Sequence, residues 1–168
     1  MALVVIAAAT AHGADFRGGT SSRKPNVVII FIDDLGCTDL GYCGSSFYET
    51  PNIDRLAKQG AIFSRTNSAC CVYWPTRASL MTGKYPQRVG FTDWLNPRRS
   101  SGPNSAASSL PMSETTLGEA FQQLGYRTGY IGKWHLGPQK HAMPKQQGFD
   151  WQMASCKHGA PTSHFFPY

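Results

Sequence analysis

The chain has 168 residues, 41% of them hydrophobic and 15% charged, which is enough apolar material for one globular core and too polar for a membrane-embedded protein. Its net charge of +6 comes from scattered Lys and Arg with no run of five like charges, which fits a solvated basic surface or a site for anionic substrates. Nucleic acid is not an expected partner, because the basic residues are not interleaved with aromatics as a stacking platform requires.

Residues 2–11 form a short apolar run ending in Ala9-Thr10-Ala11, with small residues through Ala14. The run is too short to span a bilayer and resembles the apolar core of a signal peptide, although no basic residue precedes it. Residues 1–14 are therefore predicted to be a signal peptide, the chain to be exported (periplasmic, extracellular or lysosomal), and no stable membrane anchor is expected. The five cysteines, Cys37, Cys43, Cys70, Cys71 and Cys156, are odd in number and include no Cys-x-x-Cys pair. They read neither as a zinc site nor as a dense disulfide framework.

Residues 15–24 are a polar linker. Asn26-Val-Val-Ile-Ile-Phe-Ile32 then reads as a strand buried on both faces, as in a parallel sheet. Residues 50–60 carry a compact helix signal: Thr50 to cap, Pro51 for the first turn, Gly60 for a left-handed end, and Ile53, Leu56 and Ala57 on one face. Ala61-Ile62-Phe63 is the next expected strand. A helix is predicted from Thr76 to Thr82, opened by Pro75 and closed by Gly83. After a Ser, Gly, Pro and Arg loop at 98–107, Thr116-Leu117-Gly118-Glu119 fits a capping box, with Leu117, Ala120, Phe121 and Leu124 as the apolar stripe. Gly125 ends that helix, and residues 126–131 return as a strand. After Gly148-Phe149-Asp150 the pattern is lost. Alternating strands and helices predict an α/β fold, a mostly parallel sheet flanked by helices.

Three polar clusters fall where such sheets gather ligands, outside the carboxyl ends of strands. Asp33 and Asp34 are adjacent carboxylates that repel one another and suit a hard cation, or else cap a helix in solvent. Pro75-Thr76-Arg77 opens a helix whose N–H groups and an Arg suit a tetrahedral oxyanion, though an Arg there is more often a surface residue. Lys133 and His135 stand two apart and point the same way in extended chain, one an anion-binding cation and the other a proton donor. Taken alone, that pair is better explained as a surface strand end. Together the clusters supply what hydrolysis of a sulfate or phosphate ester needs.

Four ordered blocks resemble the sulfatase family. They are Pro25-Asn26-Val27-Val28-Ile29-Ile30-Phe31-Ile32-Asp33-Asp34-Leu35-Gly36, Thr50-Pro51-Asn52-Ile53-Asp54-Arg55-Leu56-Ala57, Pro75-Thr76-Arg77-Ala78-Ser79-Leu80-Met81-Thr82-Gly83-Lys84, and Gly132-Lys133-Trp134-His135-Leu136-Gly137. The resemblance implies an alkaline-phosphatase-like fold that is incomplete here, with residues 25–168 as the amino-terminal part of the catalytic domain. It implies hydrolysis of sulfate esters, on a sulfated small molecule or glycan, with one Ca²⁺ ion taking Asp33 and Asp34 as two of its ligands. It further implies that Arg77 stabilises the nucleophile, that Lys133 binds the sulfate, and that His135 contacts the nucleophile or the substrate. The family's later calcium ligands have no match in this chain.

The family's nucleophile is a formylglycine made from the Cys of Cys-x-Pro-x-Arg. One hydroxyl of the hydrated aldehyde attacks sulfur, and the other then expels sulfate. Here Tyr73 occupies that position, followed by Trp74, and a Tyr cannot become formylglycine. A formylglycine-generating enzyme is accordingly a partner only if the Cys were present. A single base separates Tyr from Cys codons and Trp from Ser codons, so a sequence error, a recent mutation and a true pseudoenzyme all remain open. So do two further readings: a catalytically dead module that binds sulfated glycans, and a phosphate or phosphonate ester hydrolase of the same superfamily.

Overall fold

A computed structural model of the chain describes residues 24–36, 38–93 and 107–154. The predicted signal peptide, nearly all of the linker, and the loop at 98–107 except Ala107 lie outside the described residues. The chain divides into two compact units, Met1–Ser68 and Ala69–Tyr168.

In the first unit, helix α1 runs over Pro51–Gln59 with Pro51 at its first position, as the sequence predicts. Thr50 precedes it but does not cap it with its side chain. Its hydroxyl instead accepts the Gly41 N–H at 2.8 Å and donates to the Asp54 carboxylate at 2.9 Å. Asp54 also accepts the Tyr42 N–H, so the start of α1 serves to fix the 3-10 turn Gly41–Cys43. Gly60 ends the helix in extended rather than left-handed conformation, with φ −122°. Two expected strands are absent here: residues 26–32 and 61–63 belong to no sheet among the described residues. Val28, Ile30, Ile62 and Phe63 are exposed. An all-apolar strand holds its conformation through neighbours on both edges and both faces, and the described residues of this unit supply none.

The second unit carries the core. Helix α2 spans Tyr73–Thr82 and ends at Gly83 in left-handed conformation, φ 66°. It begins three residues before the predicted Thr76, so Pro75 is its third residue and still within the first turn, where no intrahelical N–H is needed. Helix α3, Leu117–Gln123, has the predicted capping box: Thr116 accepts the Glu119 N–H at 3.2 Å, and Glu119 accepts the Thr116 N–H at 2.8 Å. Leu124, expected on the apolar stripe, caps the end of α3 and is exposed.

Strand β1, Gly129–Ile131, is shorter than the predicted 126–131 and pairs in parallel with β2, Trp151–Met153. The second strand lies where the sequence pattern fades. Side chains of Trp74, Phe91, Leu110, Trp134 and Leu136, all fully buried, form the centre of the core, with Phe149 beside them. Trp74 packs on Phe91, and Tyr130, Trp134 and Phe149 meet edge to face.

Two contacts lock α3 to the turn that leads into β2. The Thr116 hydroxyl donates to the Gln147 carbonyl at 2.6 Å. Gly118 lies so close that a Cβ there would stand 2.6 Å from the Gly148 carbonyl oxygen and 2.7 Å from that of Gln147. Gly118→Ala is expected to lower stability by about 1–3 kcal/mol, because backbone and not a flexible side chain must give way. Denaturant unfolding followed by tryptophan fluorescence checks this.

At the start of β2, Asp150 closes the pair. The Thr128 N–H donates to its carboxylate at 2.7 Å, and Gln122 and the Thr128 hydroxyl add donors. The Thr128 N–H foremost holds the Asp150 carboxyl below its ordinary 3.8, against some desolvation. The folded value is depressed, so the stabilisation is complete above the unfolded value. It is lost as pH falls through the lower folded value. Asp150→Asn is therefore expected to melt below the parent at neutral pH, the difference closing only below about pH 4. Melting temperatures compared at pH 7 and pH 3 test it.

Candidate active site

The site is built on the first turn of α2 and on the loop that leaves β1. Tyr73 and Arg77 stand four apart in α2, so their side chains share one helix face. The approach to the helix is held by Thr76, whose hydroxyl accepts the Cys70 N–H at 3.1 Å and shares its proton between the carbonyls of Cys70 and Val72. That contact fixes residues 70–72 and so the place of Tyr73.

Arg77 is buried, 5% exposed. Its Nη1 donates to the Lys133 carbonyl at 2.6 Å and to the Tyr130 hydroxyl at 3.0 Å, and that hydroxyl donates to the same carbonyl at 2.6 Å. Three groups thus close a triangle that joins α2 to the loop. The loop turns at Gly132, φ 94°, and again at His135, φ 52°. A histidine in left-handed conformation is uncommon. It is held by its neighbours: Trp134 and Leu136 are fully buried, the Trp134 indole donates to the Ala142 carbonyl, and the Leu136 carbonyl accepts the Leu110 N–H.

Lys133 and His135 both meet Tyr73. The Lys133 ammonium lies 3.6 Å from the centroid of the phenol ring, and the His135 ring stacks on it at 5.2 Å and 29°. The predicted residues Tyr73, Arg77, Lys133 and His135 therefore come together. They do so across a bent loop rather than along extended chain, since His135 has positive φ. Trp74, between Tyr73 and Pro75, is fully buried against Phe91. Reasoning from the sequence assigned no role to Tyr130 or Thr76, which touch the site only by orienting its members.

Asp33 and Asp34 lie in the first unit, at a turn with Asp34 at φ 57°, a conformation that Asp tolerates. Asp33 is half-buried and Asp34 exposed. Carboxylate oxygens are the donors that Ca²⁺ takes, but it takes six to eight oxygens. No group of three or more His, Cys, Asp or Glu suited to a metal ion occurs among the described residues. The donor type is one that calcium takes, and two carboxylates alone fall short of its coordination. No helix among the described residues is long and apolar enough to cross a membrane.

Residues 25–161 match the protein family described as Sulfatase. The chain is 40% identical over 148 residues to the N-acetylgalactosamine-6-sulfatase of Rattus norvegicus, covering 87% of this chain and 27% of that protein. It is 42% identical over 150 residues to Arylsulfatase G of Homo sapiens, covering 88% and 26%. Among solved structures it is similar to the crystal structure of Ps i-CgsB, with 39% identity, a TM-score of 0.62, and 71% of this chain and 25% of that one covered. The chain thus spans about a quarter of the length of the relatives it matches. The structural likeness also bears out the expected fold class, an alkaline-phosphatase-like α/β fold present in part, with a small parallel sheet and helices.

The triangle predicts a specific sensitivity. Tyr130→Phe removes one donor to the Lys133 carbonyl and one acceptor from Arg77, and is expected to cost about 1–3 kcal/mol because buried groups lose partners. Tyr130→Leu should cost more, since it also removes edge-to-face packing on Trp134 and Phe149. Urea unfolding of the two variants beside the parent provides the measurement.

Proposed function

The chain belongs to the sulfatase family, and from that premise we propose that it carries the anion-binding groups of an exported sulfate-ester hydrolase whose nucleophile position is filled by Tyr73. The observation that carries this reading is the meeting of Tyr73, Arg77, Lys133 and His135 around the first turn of α2. Residues 53 and 56 positions apart in the sequence are joined there by hydrogen bonds. A buried guanidinium, an ammonium and an imidazole around one helix start suit a tetrahedral sulfate ester. In this reading Lys133 binds the sulfate, His135 moves a proton at the ester or nucleophile oxygen, and Arg77 positions both through the Lys133 carbonyl. Substrates are sulfated small molecules or glycans.

Asp33 and Asp34 would supply two of the oxygen ligands of a calcium ion, which when bound contributes positive charge. A small aldehyde hydrate at residue 73 would be the family's nucleophile. The phenol of Tyr73 is no substitute: it is bulky, it stacks on His135, and covalent catalysis by an unactivated nucleophile loses its advantage. A second reading, a module that binds sulfated glycans without turnover, is favoured by Tyr73 filling the nucleophile position while Arg77, Lys133 and His135 stay assembled.

The chain is expected to have no activity on an aryl sulfate above the buffer rate. Turnover that Asp33→Ala abolishes would overturn this. Tyr73→Cys restores Cys-x-Pro-x-Arg with Trp74 in place. Co-expressed with a formylglycine-generating enzyme and exported, that variant should acquire an aldehyde, visible by mass spectrometry, and little turnover. Adding Trp74→Ser should cost about 3–5 kcal/mol by emptying a filled core position against Phe91.

A further inference from the structure

The place of the Tyr73 ring has a consequence beyond the loss of a nucleophile. A cation 3.6 Å above a ring centroid is held by the negative face of the π system. An anion that needs Lys133 must draw the ammonium away from that face or share it. The ring of His135, a residue only 8% exposed, lies against the same phenol, so the two groups of the loop that would face a sulfate both face Tyr73. Neither Tyr73 nor the loop has much freedom to separate. Tyr73 is anchored by its fully buried neighbour Trp74, and Lys133 by its own carbonyl on Arg77 and by Trp134. A residue with one heavy atom beyond Cβ would leave that ground open.

We propose that Tyr73 is a built-in stopper of the anion cradle, competing with sulfate for Lys133 and His135. The proposal rests on the reading of Arg77, Lys133 and His135 as an anion site, and it makes residue 73 the determinant of whether that site is open. Removing the ring should tighten inorganic sulfate binding roughly 2- to 30-fold, the range of a cation–π contact between exposed and desolvated surroundings. Tyr73→Phe keeps the ring and should bind like the parent.

The test uses the full chain with reductively ¹³C-methylated lysines, the Lys133 signal being assigned by its loss in Lys133→Arg. Parent and Tyr73→Phe should show a ring-current shift of the Lys133 methyl resonance, and Tyr73→Leu, which keeps apolar bulk, should not. Sulfate is then titrated into parent, Tyr73→Phe, Tyr73→Leu and Tyr73→Ala, with chloride at equal ionic strength as control. Tighter binding by Tyr73→Ala, lost again in Tyr73→Ala with Lys133→Ala, supports the stopper. A Lys133 shift unchanged by Tyr73→Leu overturns the contact and the proposal with it. A ring-dependent shift with equal sulfate affinity in all four proteins overturns the stopper and leaves the anion site standing. A ring-dependent shift with no sulfate binding by any of them overturns the anion site as well.

Discussion

The charge of Arg77 governs the architecture around it. A guanidinium buried to this degree is costly unless its donors are met. Two of the partners it finds are not on its own helix: the Lys133 carbonyl and the Tyr130 hydroxyl, at 2.6 and 3.0 Å. To bury Arg77 at all, α2 must lie against the end of β1 and the loop that follows it. Once that is fixed, Tyr73, one helical turn earlier on the same face, falls on Lys133 and His135. The cation–π and stacking contacts of Tyr73 are in this sense results of where Arg77 is satisfied.

The aromatic core gives the clamp its rigidity. In both segments that meet at the site, side chains divide between core and cradle. Trp74 goes into the core beside Tyr73, and Trp134 and Leu136 go into it on either side of His135. The loop can hold a histidine at φ 52° because its flanks are buried and hydrogen-bonded, so local strain is met by tertiary packing. Tyr130 belongs to both systems: its ring packs edge to face on Trp134 and Phe149, and its hydroxyl orients the Lys133 carbonyl.

The first unit follows a different rule. Its order is local and polar: Asp54 and Thr50 knit α1 to the 3-10 turn before it, while Val28, Ile30, Ile62 and Phe63 face solvent. Apolar surface of that extent is what partners cover in larger proteins, and the relatives this chain matches are more than three times its length. The adjacent carboxylates of Asp33 and Asp34 sit in this unit, a donor pair of the right chemistry and too few for a hard cation by themselves.

By itself the sequence determined what is local. The Thr116–Glu119 capping box, Pro51 in the first turn of α1 and Gly83 after α2 act over one turn of chain, and the structure has each of them. The polar clusters likewise singled out Arg77, Lys133 and His135, and the resemblance to the family's Cys-x-Pro-x-Arg pattern added Tyr73. Strands were another matter: the strongly apolar run at 26–32 joins no sheet among the described residues, while Trp151–Met153, with no clear pattern, pairs with β1. Strand formation depends on a neighbour supplied from elsewhere in the chain, here about twenty residues away. Tyr130 and Thr76 were invisible for the same reason, since they matter through what they touch. The candidate site residues were written in the chain; that a phenol ring should lie on Lys133 and His135 was decided only by burying Arg77 against a carbonyl 56 residues away.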